Sequence, residues 1–144
     1  SSVCTTWYKI NNQYYLMDVF REKLKFLNLK AAVLRLQKEF NADIILIEDK
    51  ASGQSLIQEL ESQDDLSVLG INPHKDKETR FLSVISMFES GKVVFPENAI
   101  WLAELEEELF SFPQVKHDDQ VDSLTQFLKW SKEGVKNKTK ARIV

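Results

Sequence analysis

Four consecutive apolar residues, Ile44-Ile45-Leu46-Ile47, constrain this chain more than any other feature. A strand on a half-exposed sheet alternates apolar with polar positions, whereas a run with no polar member is covered on both faces. Such a strand is central and parallel, and in a chain of 144 residues the covering layers are helices joined to the sheet by crossovers. The flanking sequence agrees. Residues 3–10 and 13–20 are β-rich runs separated by Asn11-Asn12, a pair that tolerates the left-handed backbone of a tight hairpin. Within 24–40, Leu24, Leu27, Ala31 and Leu34, and less regularly Leu36 and Phe40, recur at helical spacing and predict an amphipathic helix facing the sheet. After the apolar run, Ser52-Gly53 opens a predicted helix to 60 and residues 66–71 form a strand. Residues 77–89 then form a helix ending at Gly91, and 93–95 a short extended piece. An acidic helix over 99–110 and a last helix over 118–130 complete the order. A hairpin followed by alternating strands and helices is an α/β chain with a mixed sheet.

Composition bounds the rest. With 43% hydrophobic residues and only four glycines and three prolines, the chain is expected to close one core, without repeats or long disordered stretches. The single cysteine, Cys4, excludes an internal disulfide framework and fits a reducing cytosol. No apolar run approaches the ~20 residues that cross a bilayer, and the first residues lack a signal-peptide layout. A cytoplasmic location with no membrane partner is therefore expected. The net charge of −3 is unlike that of most phosphate-gripping proteins, but charge is unevenly distributed. Residues 132–144 carry Lys132, Lys136, Lys138, Lys140 and Arg142 against Glu133 alone, while Glu104, Glu106, Glu107 and Glu108 crowd one segment. We read residues 1–132 as the folded domain and 133–144 as a basic tail, either a solvated end or a contact for DNA.

Two places carry candidate chemistry. The apolar run ends abruptly in Glu48-Asp49-Lys50, and ligands of open α/β sheets collect outside the carboxyl ends of strands. Charged residues also end ordinary strands where they meet water. Lys50, Ser52 and Gly53 form a small-residue turn into a helix, able to present backbone N–H groups to phosphate. The second place is His117-Asp118-Asp119-Gln120-Val121-Asp122-Ser123-Leu124. Asp119 and Asp122, three residues apart, share a helical face, while Val121, Leu124 and Leu128 anchor the helix. One aspartate suffices to cap a helix; three with a histidine exceed that need. Carboxylate oxygens suit Mg²⁺ or Mn²⁺, and a pair of such ions can hydrolyse a phosphodiester. A metal site and a capping cluster both remain open on this pattern.

The string Ile47-Glu48-Asp49-Lys50-Ala51-Ser52-Gly53-Gln54, followed by His117-Asp118-Asp119 and Asp122-Ser123-Leu124, resembles the C-terminal nuclease domain of tailed-phage or prophage terminase large subunits. Asp76-Lys77-Glu78-Thr79-Arg80 and Tyr14-Tyr15-Leu16-Met17-Asp18-Val19 are similar to that family as well, and the likeness runs to about residue 132. The resemblance implies a ribonuclease-H-like fold and a metal-dependent endonuclease that cuts concatemeric double-stranded DNA with two Mg²⁺ or Mn²⁺ ions. It implies Glu48, Asp119 and Asp122 as catalytic metal ligands, with Asp118 and His117 as close alternatives. Asp49 is expected to point to the opposite face from Glu48. Lys50, Lys77 and Arg80 would lie near the DNA, and Asp18 would be a second carboxylate behind the site or a solvent-facing residue beside Arg21. The partners implied are the terminase ATPase domain, the small terminase subunit and the portal, in the cytoplasm of a bacterial host.

One departure bears on activity. Enzymes of this kind begin with a central strand carrying an aspartate, between the hairpin and the Glu48 strand; here the first acidic residue is Asp18. The sheet is thus expected to lack its first central strand. The strands at 3–10 and 44–47 would then pair directly, recruit a strand from another copy or leave a groove, and cleavage by this chain would be weak or absent. No G-x-x-x-x-G-K-[ST] phosphate loop is present. A RuvC-like junction resolvase, or a non-catalytic prophage remnant that binds DNA or packaging partners, are the alternative readings.

Overall fold

A computed structural model describes residues 1–63, 65–73, 76–134 and 139–143, the last of these as backbone only. β1 (Ser2–Ile10) and β2 (Gln13–Glu22) pair antiparallel, with Asn11 in the left-handed region at φ 54. A bulge sets Thr6 opposite Asp18 and Trp7 opposite Leu16, so Met17 is the extra residue and is largely exposed. There follow α1 (Phe26–Phe40), β3 (Ile44–Glu48), α2 (Ser52–Glu61), β4 (Val68–Ile71), α3 (Lys77–Glu89), β5 (Val93–Val94), α4 (Leu102–Ser111), α5 (Asp119–Gly134) and β6 (Thr139–Ile143). They build one mixed sheet in the order β4-β3-β6-β1-β2-β5.

β3 behaves as its unbroken apolar run requires. Ile45 and Ile47 pack with Val33 of α1 and Leu56, Ile57 and Leu60 of α2, while Leu46 packs on the other face with Val121, Leu124, Phe127 and Leu128 of α5. Helices therefore cover both faces, as expected of an α/β chain with a mixed sheet.

The position between β1 and β3 is filled, and by a segment from the far end of the chain. β6 runs antiparallel to β1, from Thr5↔Ile143 to Lys9↔Thr139, and parallel to β3, from Ile44↔Ala141 to Leu46↔Ile143. Unpaired backbone groups in the middle of a sheet are costly, which is the reason for a strand there. Of the three outcomes expected from the sequence, direct pairing, a strand from another copy and an open groove, none describes this arrangement. The strand Thr139-Lys140-Ala141-Arg142-Ile143 contains no acidic residue.

The stripe read for α1 is displaced. Leu27 and Ala31 are exposed, and the buried face is Ala32, Val33 and Leu36, with Leu29 packed against the same cluster. Of the residues read as the buried stripe, Leu36 is buried and Leu34 packs against that cluster, whereas Leu27 and Ala31 lie outside it, so the reading holds in part. The sheet selects the face that offers Val33 to Ile45 and Ile47. Boundaries also move: α4 begins at Leu102 rather than 99, and α5 continues to Gly134 rather than stopping at 130.

Candidate active site

Side chains alternate along a strand, so Glu48 shares the face of Leu46 and looks toward α5. Asp49 takes the opposite direction, as expected: its N–H donates to the Ile71 carbonyl at 2.8 Å, and its side chain lies beside Gly70. The chain then turns sharply into α2. Lys50 N–H donates to the Glu48 carbonyl at 2.9 Å and Gly53 N–H to the Lys50 carbonyl at 3.0 Å. Ala51 is forced to φ 51 and ψ −124, a conformation costly for a residue with a Cβ. A Cβ on Gly53 would stand 2.0 Å from the Glu48 carbonyl oxygen, so only glycine lets α2 begin this close to the end of β3.

α5 is held over the sheet by both packing and polar contacts. Trp7 of β1 stacks on Phe127 at 4.7 Å between centroids and donates its indole N–H to Thr5 Oγ1 at 2.9 Å. Thr5 Oγ1 in turn lies 2.9 Å from Ser123 Oγ, a buried hydroxyl pair that ties the first turns of α5 to β1. The helix N-terminus is tied a second time. Glu108 of α4, only 5% exposed, accepts from Val121 N–H at 2.6 Å through Oε2 and from Gln120 Nε2 at 3.0 Å through Oε1. A carboxylate there satisfies free N–H groups and opposes the positive end of the helix dipole.

These constraints bring Glu48, Asp119 and Asp122 to the lining of one cavity of about 230 Å³, with Lys50, Ser52 and Gly53 at its border. Asp122 is engaged on both oxygens: Arg80 of α3 donates to Oδ1 in a buried ion pair, and Gln126 Nε2 donates to Oδ2 at 3.2 Å. Asp118 turns instead toward α3, where Lys77 Nζ donates to its Oδ1 at 2.8 Å and is held above the ordinary lysine pKa by that bond. His117 is exposed and precedes α5; neither it nor Asp118 lines the cavity shared by the other three. Lys77 and Arg80 do share a helical face, and with Lys50 they border an adjoining cavity of about 410 Å³ that also touches Glu48, Asp49 and Asp122. Half-buried Asp18, beside the bulge, lines neither cavity.

As the side chains stand, no three His, Cys, Asp or Glu among the described residues are grouped closely enough to hold a metal ion. The donor chemistry nevertheless suits a hard divalent cation, since three carboxylates line one cavity. Gln126 borders the same cavity, and its buried Oε1 has no hydrogen-bond partner among the described residues.

Thr5 and Gln126 were not singled out by the sequence, and Ser123 and Glu108 stood there only as members of the last-helix motif and of the acidic segment, without these roles. Glu108 had one readable signal: it follows Leu105 by three residues, which puts it on the apolar side of an otherwise acidic helix. The others are ordinary polar residues whose roles depend on their partners.

Residues 3–129 match a family model described as a terminase RNaseH-like domain. Comparison with curated proteins gives no match.

Proposed function

The chain belongs to the family of terminase RNaseH-like domains, and from that premise we propose that it is the metal-dependent DNA-cleaving domain of a phage or prophage packaging machine. The single observation that carries this reading is the sharing of one cavity by Glu48 and by Asp119 and Asp122, some seventy residues away, at the carboxyl end of β3. Glu48, Asp119 and Asp122 would hold Mg²⁺ or Mn²⁺. When bound, such ions supply positive charge to the phosphate oxygens and acidify an attacking water, and two of them can serve both sides of the displacement.

The protein's own residues then have distinct tasks. Glu48 and Asp119 form the anionic wall, Arg80 and Gln126 fix the orientation of Asp122, and Lys50 draws a backbone phosphate toward the cavity mouth. Lys77 borders the cavity beside the carboxylates and would meet DNA through the same site, whereas buried Arg80 would act through Asp122. Asp118 and His117 stand outside this set in the arrangement described and serve as spare ligands. The substrate would be concatemeric double-stranded DNA, and the partners the packaging ATPase domain, small terminase subunit and portal in a bacterial cytoplasm. No helix of the described residues is long and apolar enough to cross a membrane.

The test is Mn²⁺ titration followed by magnetic resonance, paired with plasmid nicking. Asp119→Asn and Asp122→Asn should each weaken Mn²⁺ binding at least several-fold, and Glu48→Gln should abolish what nicking the chain shows. Nicking is expected to be slow, because β6 brings no carboxylate to the centre of the sheet. Equal Mn²⁺ affinity in all four proteins would overturn the metal assignment. Binding without any nicking at saturating Mn²⁺ would favour the non-catalytic reading instead.

A further inference from the structure

A second cavity, of about 570 Å³, lies at the other end of β1 and α5. From Asp122 to Ser131 the helix advances ~14 Å at ~1.5 Å per residue, so the two cavities are separate places on the protein. This one is bordered by Lys9 of β1, Lys92 after α3 and Lys132 of α5, with Ser90 and Ser131 among the hydroxyls. None of its described lining residues is acidic. Nor does the sequence from Gly134 to its end contain an acidic residue. The ammonium groups of Lys92 and Lys132 beside one concavity repel one another unless an anion joins them.

The cationic groups are held in place. Lys9 is buried, with its Nζ 5.5 Å from the centroid of the Tyr14 ring, and burial lowers its pKa from the ordinary lysine value. Lys132 Nζ donates to the Ser83 carbonyl at 3.0 Å, a neutral partner that orients the ammonium and leaves its charge in place. Lys92 is exposed, and neither it nor Lys132 is ion-paired among the described residues. Ser131 supplies the independent observation. The residue is 2% exposed and borders the cavity, and its buried Oγ has no hydrogen-bond partner among the described residues. A buried hydroxyl without a partner loses free energy unless a ligand or water completes it.

We propose that this cavity is a phosphate-binding site, in which Lys92 and Lys132 supply charge beside Lys9 and the Ser131 hydroxyl donates a hydrogen bond. A phosphate group has the several acceptor oxygens such a donor set needs, and lysines bind it as point charges. The cavity is open and has room for a phosphate group attached to something larger, a nucleic-acid backbone or a phosphorylated small molecule. The inference does not depend on the carboxylate cavity.

The experiment follows amide resonances of the whole chain during titration with inorganic phosphate, and separately measures binding of a short DNA duplex. Saturable shifts are expected at Ser90, Lys92, Ser131 and Lys132. Lys92→Met combined with Lys132→Met, two exposed positions, should weaken phosphate binding at least ten-fold, and Ser131→Ala several-fold. If duplex affinity falls in the same double variant and its salt dependence flattens by about two counterions, the phosphate is that of DNA. If duplex binding is unchanged while phosphate binding is lost, the source is a free phosphate or phosphorylated small molecule, and the site stands. Absence of saturable shifts in the parent, or equal phosphate affinity in parent and double variant, overturns the proposal.

Discussion

At the first turn of α5 the charges of Asp118 and Asp122 meet opposite charges from the same chain, whereas at its last turn Lys132 meets, among the described residues, a neutral backbone carbonyl. Helix dipoles favour acid at the first turn and base at the last, so the placement of charge along α5 is unremarkable on its own. What differs is burial and compensation. Arg80 is 5% exposed and committed to Asp122, and Glu108 is equally buried beneath the same turn. The acidic end is thus a cavity whose Asp122 is anchored in the protein's framework, while the basic end is an open concavity bordered by Ser131, whose hydroxyl has no partner among the described residues. Charge alone does not identify a site; what its counter-charges are doing does.

That contrast can be broken most directly at Arg80. Removing one partner of a buried ion pair strands the other, so Arg80→Met should cost about 3 kcal/mol in urea unfolding, and adding Asp122→Asn should recover much of it. Lys132→Met at the opposite end should change stability by no more than about 0.5 kcal/mol. Equal losses at the two ends would mean that the acidic end is no more structural than the basic one.

Glu108 sharpens the same point through the helix terminus. Glu108→Ala leaves two buried donors without an acceptor and should cost about 2 kcal/mol, while Glu108→Gln, which keeps one acceptor oxygen, should cost about half as much. Amide exchange at Val121 and Asp122 should accelerate in the alanine variant. Mn²⁺ affinity should drop with it, and phosphate binding at the lysine cavity should not. A variant that loses both equally would show general loosening rather than a local cap.

Smaller effects surround the turn that carries Glu48. Ala51→Gly relieves ~1–2 kcal/mol of left-handed strain and adds ~0.4–1 kcal/mol of unfolded-chain entropy, so a net gain of about 0.5 kcal/mol is expected. A thermal midpoint raised by about 1–2 °C would confirm it, and a lowered one would show that Ala51 contributes packing that outweighs the strain.

The smallest effect concerns the cap of α3, the helix that delivers Lys77 and Arg80. Asp76 accepts from Thr79 N–H at 2.8 Å, and that bond lowers its carboxyl pKa. A lowered folded pKa contributes stability that is complete above the ordinary aspartate range and is lost as pH falls through the folded value. The melting difference between the parent and Asp76→Ala should therefore be largest near neutral pH and shrink in acid. A difference independent of pH would assign the effect to helix propensity instead of the charged cap.

By itself the sequence determined the elements that depend on local pattern. The apolar run of β3, the Asn11-Asn12 hairpin, the start of α2 at Ser52 and the span of α3 are each legible because periodicity and turn chemistry act over a few residues. The face of Glu48 and the pairing of Asp119 with Asp122 followed from the same periods. Tertiary structure decided what those periods leave degenerate. Helical spacing marked Leu34 and Leu36 of α1 together with Leu27 and Ala31, and only the sheet decided that Ala32 and Val33 are covered while Leu27 and Ala31 are not. The turn of Asp118 toward Lys77, the capture of Asp122 by Arg80 and the burial of Glu108 under α5 join residues far apart in sequence, and no local signal encodes such partners. Most of all, residues 139–143 read as part of a basic tail, yet they stand at the centre of the sheet. Their position is set by the vacant hydrogen-bonding edges of β1 and β3, a requirement of the assembled sheet that no pattern in the segment itself expresses.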